Sequence, residues 1–227
     1  MFKNIGFVRK IFIVNEENIP LEIGKIKRLL KLRNSSLFFN LGSKGPEQKL
    51  TVIGDNNKEK LFLKFAETQI AKELVNNEID ILLELQKQKT LVTANLLSYG
   101  STDDYSYLTT DVILGKKYSI AYIDDKIFDY LINLIKVKPV LNSDIKKVFS
   151  HGDFCPWNML IESKTNKLIL IDWEMAGYKP LGYDLFTFLF QTNFLLKPKL
   201  KCSQIIKENK VYINIYFRKQ NISNWEK

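Results

Sequence analysis

Cysteine, histidine and long apolar runs are what this sequence has least of. Its 227 residues include two cysteines, Cys155 and Cys202, and one histidine, His151. Two cysteines cannot make the multi-bridge framework of a small secreted domain, and their scarcity suits a reducing cytoplasm, the expected location. A single histidine excludes a metal centre built from several imidazoles. No uncharged apolar run approaches the ~18–20 residues a membrane-spanning helix needs, so no integral membrane protein is expected. The N-terminal stretch MFKNIGFVRKIFIVNEEN has a short apolar patch and no small-residue cleavage site, so no secretory leader is expected either. No internal period is visible, which argues against a repeat array.

What is present is an ordinary globular mixture, 45% hydrophobic and 26% charged, in a chain long enough for one large domain or two small lobes. The net charge of +9 is unevenly placed: residues 1–33 sum to +5 and 197–227 to +6, while 34–196 sum to −2. A uniformly basic nucleic-acid protein does not divide this way, so no nucleic-acid partner is expected. The basic ends read as solvated lysine-rich segments, or as a weak peripheral contact with an anionic surface.

Along the chain, β texture comes first and α texture second. FVRKIFIV (7–14) reads as a short strand and LEIGKIKRLLKLR (21–33) as a basic amphipathic helix. LFFNLG, KLTVIGD and LFLKFAE read as strands, the last two joined through a polar hairpin. The spacing predicts a helix over 69–87, a strand over 105–110, helices over 123–136 and 143–149, a strand over 167–174 and helices across much of 182–219. This predicts an α+β fold of two lobes, one over 1–110, with 1–35 as an added strand and basic helix, and one over 111–227.

The chemistry is concentrated in His151-Gly-Asp-Phe-Cys-Pro-Trp-Asn158 and in the apolar strand that ends at Asp172-Trp-Glu174. Asp153 and Asn158 have the D-x-x-x-x-N spacing that holds a phosphoryl acceptor and magnesium on one loop. Asp172 follows Asp153 by nineteen residues, so a hairpin between them brings both carboxylates to one site. A γ-phosphoryl in transfer spreads negative charge over its oxygens, and magnesium held by hard oxygen ligands neutralises it. Asn158 and Asp172 supply such ligands, and Asp153 is placed to accept the hydroxyl proton. A Cys155–His151 nucleophilic pair lacks a third orienting group.

These motifs resemble the catalytic and metal-binding loops of the aminoglycoside phosphotransferase and choline kinase superfamily, which has a protein-kinase-like fold. The nearest likeness is to small bacterial phosphotransferases linked to surface-polysaccharide synthesis, through HGDFCPWN, IDWE and Pro180-Leu-Gly-Tyr-Asp184-Leu-Phe186. The resemblance implies an N-terminal antiparallel sheet with one helix, a mostly helical C-terminal lobe carrying a catalytic-loop hairpin, and ATP with magnesium as cofactors. It assigns Lys64 to the nucleotide phosphates and Glu78 to its ion-pair partner, with Glu73 as a rival. It places Gly42, Ser43 and Gly45 in a phosphate-covering loop, although no G-x-G-x-x-G is present. It puts the adenine against the Asp111 carbonyl and the Ile113 amide. His151 and Asp184 are expected to support the catalytic loop, and Glu174 either touches a metal-bound water or is structural.

The acceptor implied is a hydroxyl of a small molecule. Eleven residues separate Asp172 from Asp184, no A-P-E follows, and Gly152 stands where protein kinases carry the arginine of H-R-D. A sugar or glycan is favoured. An aminoglycoside or choline-type acceptor is the alternative, with Asp124, Asp125 and Asp129 as the nearby acid cluster. A nucleotide-binding regulatory module with reduced chemistry is the other.

Overall fold

Alternating apolar residues in the first half of the chain build one five-stranded sheet in the computed structural model, its strands in the order 36–41, 50–55, 60–66, 106–111 and 96–101. The structure describes residues 21–30, 36–55, 58–89, 91–118, 122–141, 144–196 and 200–222. The strand expected over 7–14 lies outside the described residues, as do 31–33 of the basic helix. The described residues fall into two units. One holds those up to Glu84 together with Ala94–Ile113, and the other holds Leu85–Thr93 and everything from Leu114 onwards.

In the first unit, β1 (Ser36–Leu41), β2 (Leu50–Asp55), β3 (Lys60–Ala66), β4 (Leu96–Ser101) and β5 (Ser106–Asp111) pair antiparallel throughout. Val52, Leu63 and Phe65 point to one face and are buried with Leu37 against Ile26 and Leu30 of helix α1 (Leu21–Leu30). On a second cluster, Ala66 and Leu108 meet Ala71, Val75 and Ile79 of α2 (Gln69–Gln88), whose i, i+4 spacing makes a continuous apolar stripe. Thr68 caps α2: its hydroxyl accepts the Ala71 N–H at 3.2 Å and its carbonyl accepts the Lys72 N–H at 2.9 Å.

The second unit contains a small sheet of β6 (Gly115–Lys117), β8 (Met159–Glu162) and β9 (Leu168–Leu170), in the order β6-β8-β9, and a two-stranded ribbon of β7 (Lys147–Ser150) with β10 (Gly177–Pro180). Its helices are α3 (Asp125–Leu134), capped by the Asp124 carboxylate, α4 (Tyr183–Leu196), α5 (Cys202–Glu208) and α6 (Lys210–Arg218). The helix expected over 143–149 is replaced by β7. Val148 and Phe149 are buried there, and pairing with Tyr178 and Lys179 overrides the local helix signal. The strand expected over 167–174 stops at Leu170, because Asp172 turns left-handed (φ 70°, ψ 62°) and Trp173–Met175 form a 3-10 turn. β4 escapes the sequence reading, since its large residues Leu97 and Tyr99 are the exposed ones. Among the described residues no helix is long and apolar enough to cross a membrane.

Candidate active site

β3 carries Lys64 between Thr51 on β2 and Leu108 on β5. The strand period turns it away from Leu63 and Phe65, and its Nζ meets Glu78 Oε2 of α2 at 2.5 Å. The two side chains are only 8% and 5% exposed. Glu73 instead accepts from Gln69 Nε2 at 2.9 Å in an exposed position, so the pair is Lys64–Glu78. A buried ion pair gains little net stability after desolvation, so its consequence is positional: it fixes an ammonium group on the sheet.

Gly42, Ser43 and Gly45 lie in the β1–β2 turn. Gly42 donates its N–H to the Lys49 carbonyl at 3.1 Å and its carbonyl accepts from Gln48 Nε2 at 3.1 Å. The Gln48 N–H donates to the Gly45 carbonyl at 3.1 Å, and the Thr68 hydroxyl at the head of α2 donates to the Pro46 carbonyl. Ser43 and Gly45 are exposed, whereas the Gly42 amide is already engaged within the turn.

Asp111 closes β5, and Ile113 follows two residues later, past Val112, whose N–H donates to the Lys60 carbonyl at 3.2 Å. Sequence reasoning missed Asn95 here. Its N–H and Nδ2 donate to the two carboxylate oxygens of Asp111 at 2.7 and 2.6 Å. The partners are sixteen residues apart and follow no local pattern.

In the second unit β7 delivers the chain to His151. Asp184, in the first turn of α4, accepts the His151 N–H at 2.6 Å on one oxygen and the Gly152 N–H at 3.0 Å on the other. Burial raises its carboxyl to about 6, against the two amide bonds and Lys179, which lower it. The His151 ring is fully buried, and burial pushes it down to about 4, so it is neutral near pH 7. A neutral ring fits its contacts: Nδ1 accepts the Asp153 N–H at 3.3 Å, and Nε2 lies 3.1 Å from the Ile171 carbonyl, to which it donates. Trp173 packs on this ring with centroids 4.7 Å apart.

Gly152 adopts φ +86°, and a Cβ placed there would lie 2.1 Å from the Met175 carbonyl oxygen. The loop after Asp172 therefore lies directly against the loop that begins at His151, and only glycine allows it. Asn158 spans its own loop: Nδ2 donates to the Asp153 carboxylate at 2.8 Å and to the Asp153 carbonyl at 3.0 Å. The Asn158 carbonyl accepts the Ile171 N–H at 3.0 Å, which ties the Asp153 loop to the strand end that carries Asp172. With Nδ2 so engaged, Oδ1 is the Asn158 atom left to ligate a metal. Asn158 Oδ1 and the Asp172 carboxylate are both hard oxygens, the donor set that suits magnesium. Glu174 sits in the 3-10 turn just beyond, half-buried.

Cys155, which the sequence argues against as a nucleophile, has another part in the structure. It is fully buried and its thiol donates to Asp153 Oδ1 at 3.4 Å. Burial pushes that thiol far up, and the carboxylate of Asp153 adds to the shift, so it stays protonated.

The streptomycin and ADP complex of an aminoglycoside phosphotransferase from Streptomyces rimosus superposes with a TM-score of 0.58 at 12% identity, covering 89% of this chain and 93% of that one. The GDP complex of an aminoglycoside 2'-phosphotransferase gives 0.57 at 13% identity, covering 88% of each. Likeness at such identity establishes one thing, that this chain shares their fold. A probable choline kinase of Arabidopsis thaliana is 35% identical over 54 residues, 24% of this chain and 15% of the relative. A choline kinase of Caenorhabditis elegans is 44% identical over 45 residues, 20% of this chain and 12% of its own. The aligned segments thus span less than a sixth of either curated relative. Residues 113–199, which hold Asp153, Asn158, Asp172 and Asp184, match the model of the phosphotransferase enzyme family.

Proposed function

We propose that this chain is an ATP- and magnesium-dependent phosphotransferase that moves the γ-phosphoryl group to a hydroxyl of a small molecule, a sugar or glycan being the favoured acceptor. The observation that carries this reading is the two-point bond from Asn158 to Asp153. It holds one carboxylate in a fixed orientation beside an amide oxygen, the arrangement needed to align and deprotonate a hydroxyl next to a bound cation. Asp153 accepts the acceptor proton and aims its oxygen. Asn158 and Asp172 would hold magnesium, which when bound neutralises charge on the transferring phosphoryl oxygens. Lys64, fixed by Glu78, binds the nucleotide phosphates, with Ser43 and Gly45 covering them. The base lies along 111–113, paired to the Asp111 carbonyl and the Ile113 amide. His151 and Asp184 keep the catalytic loop in shape, and Glu174 supports the metal loop. Relatives of this fold are known with ADP and with GDP, so the fold alone leaves the base open.

A second reading of the acceptor is favoured by one observation. A cavity of about 410 Å³ in the second unit is lined by Asp124, Asp125 and Glu208 together with Tyr122, Asn193 and Tyr212. Three carboxylates beside two phenol rings suit an ammonium group, as on an aminoglycoside or an amino alcohol such as choline. The test is ATP consumption measured with a panel of neutral sugars, amino alcohols and aminoglycosides. Asp153→Asn and Asp172→Ala should each lower turnover by roughly 10³-fold, with Asp153→Asn still binding ATP. ATP consumption that is unchanged in both variants overturns the mechanism.

A further inference from the structure

Asp111 is the one carboxylate in the stretch Thr109–Gly115. Both of its oxygens are gripped by one residue, Asn95, through its N–H at 2.7 Å and its Nδ2 at 2.6 Å. The Asp111 N–H returns a bond to the Asn95 carbonyl at 3.1 Å, so the two residues form a closed reciprocal ring ahead of β4. The Thr110 hydroxyl donates to the Asp111 carbonyl at 3.0 Å, fixing the direction of that group as well. Bonds to an ionised acceptor are the strong ones, so the ring holds the carboxylate against β4.

Purines differ in what their pairing edge asks of a protein. Guanine offers two adjacent donors, N1–H and the 2-amino group, which one carboxylate accepts together. Adenine offers the N1 acceptor and the 6-amino donor, which a backbone N–H and a backbone carbonyl satisfy. We propose that Asn95 is a specificity-determining residue for the donor nucleotide. By holding both oxygens of Asp111 it withdraws the group of this stretch that could take guanine's two donors, and leaves a connector suited to adenine through its backbone alone. The inference rests on reading this chain as a nucleotide-dependent phosphotransferase whose base lies along 111–113.

The test is calorimetric titration of the full chain with ADP and with GDP. The parent should bind ADP at least about tenfold more tightly, since guanine would leave donors unpaired. Asn95→Ala releases Oδ2 of Asp111 and should narrow that ratio roughly fivefold, the scale of one such bond. Adding Asp111→Asn to it removes the released charge and should restore the preference. A parent that binds both nucleotides equally, or prefers GDP, overturns the inference while leaving the phosphotransferase reading intact. A ratio unmoved in Asn95→Ala also overturns it. A parent that binds neither nucleotide overturns the underlying reading and this inference with it. Asn95→Ser, read in the same way, serves if the alanine variant does not fold.

Discussion

Two buried charges are handled differently in the two units. Lys64 is balanced by another side chain, Glu78, reaching from α2 to β3. Asp184 is balanced by backbone, accepting the N–H groups of His151 and Gly152. The first arrangement is a contact between replaceable partners. The second is built into the main chain, whose amides cannot be mutated away and must find an acceptor if they stay buried. Stability and chemistry should therefore be separable at Lys64–Glu78 and inseparable at Asp184.

The sharpest break should come at Asp184. Asp184→Ala leaves two buried N–H groups without their acceptor in a loop packed against Met175, and should cost roughly 4 kcal/mol of unfolding free energy together with the activity. Chemical denaturation at pH 7 measures it, and a loss under 1 kcal/mol would remove Asp184 from its structural part. Next in size, Glu78→Leu alone strands the Lys64 ammonium in an apolar setting and should cost roughly 3 kcal/mol. Replacing both, with Lys64→Met and Glu78→Leu, should return stability to within about 1 kcal/mol of the parent. The double variant should still lack ATP-dependent turnover, because the ammonium is gone. A double variant as unstable as the single one would show that the pair stabilises the lobe.

How much of this was legible in the sequence divides along similar lines. The residues proposed to carry the chemistry stand at short fixed spacings set by one loop or one hairpin, so Asp153, Asn158 and Asp172 are candidates from the sequence alone, and the resemblance adds Lys64 and Glu78. The failures lie where long-range pairing decides. IKKVFS has the composition of a helix end after Asn-Ser-Asp, yet its partner strand Gly177–Pro180 draws Lys147–Ser150 into β7. LLSYGS hides a strand because Leu97 and Tyr99 face outwards and give no core signal. Asn95 carries no local mark, since its meaning depends on Asp111 sixteen residues away. Cys155 is a reactive residue type whose nucleophilic role the sequence already argued against, and its burial makes it a hydrogen-bond donor to Asp153.

An effect of similar size is a difference in pH dependence, and it separates side-chain from backbone satisfaction within the second unit. His151 is held at about 4, below its ordinary 6.5, so the folded state binds its proton more weakly than the unfolded chain. Stability from this residue is lost as pH falls through 6.5 towards 4. Asp184 is held at about 6, above its ordinary 3.8, so the folded state binds that proton more strongly. Its contribution is present at acid pH and is lost as pH rises through 6. Each shift is worth roughly 3 kcal/mol, with opposite sign over nearly the same window, so the two almost cancel in the parent. Asp184→Asn removes one side of this balance without removing the side chain. Between pH 6.5 and 4 it should lose roughly 3 kcal/mol more than the parent does. His151→Gln should do the reverse and gain on the parent over the same interval. Denaturation midpoints taken at half-unit pH steps give the slopes, and the absolute stability of each variant cancels from the comparison. Parallel profiles for the parent and both variants would mean that neither group titrates against burial, and that the loop is more open to water than its packing around Trp173 implies.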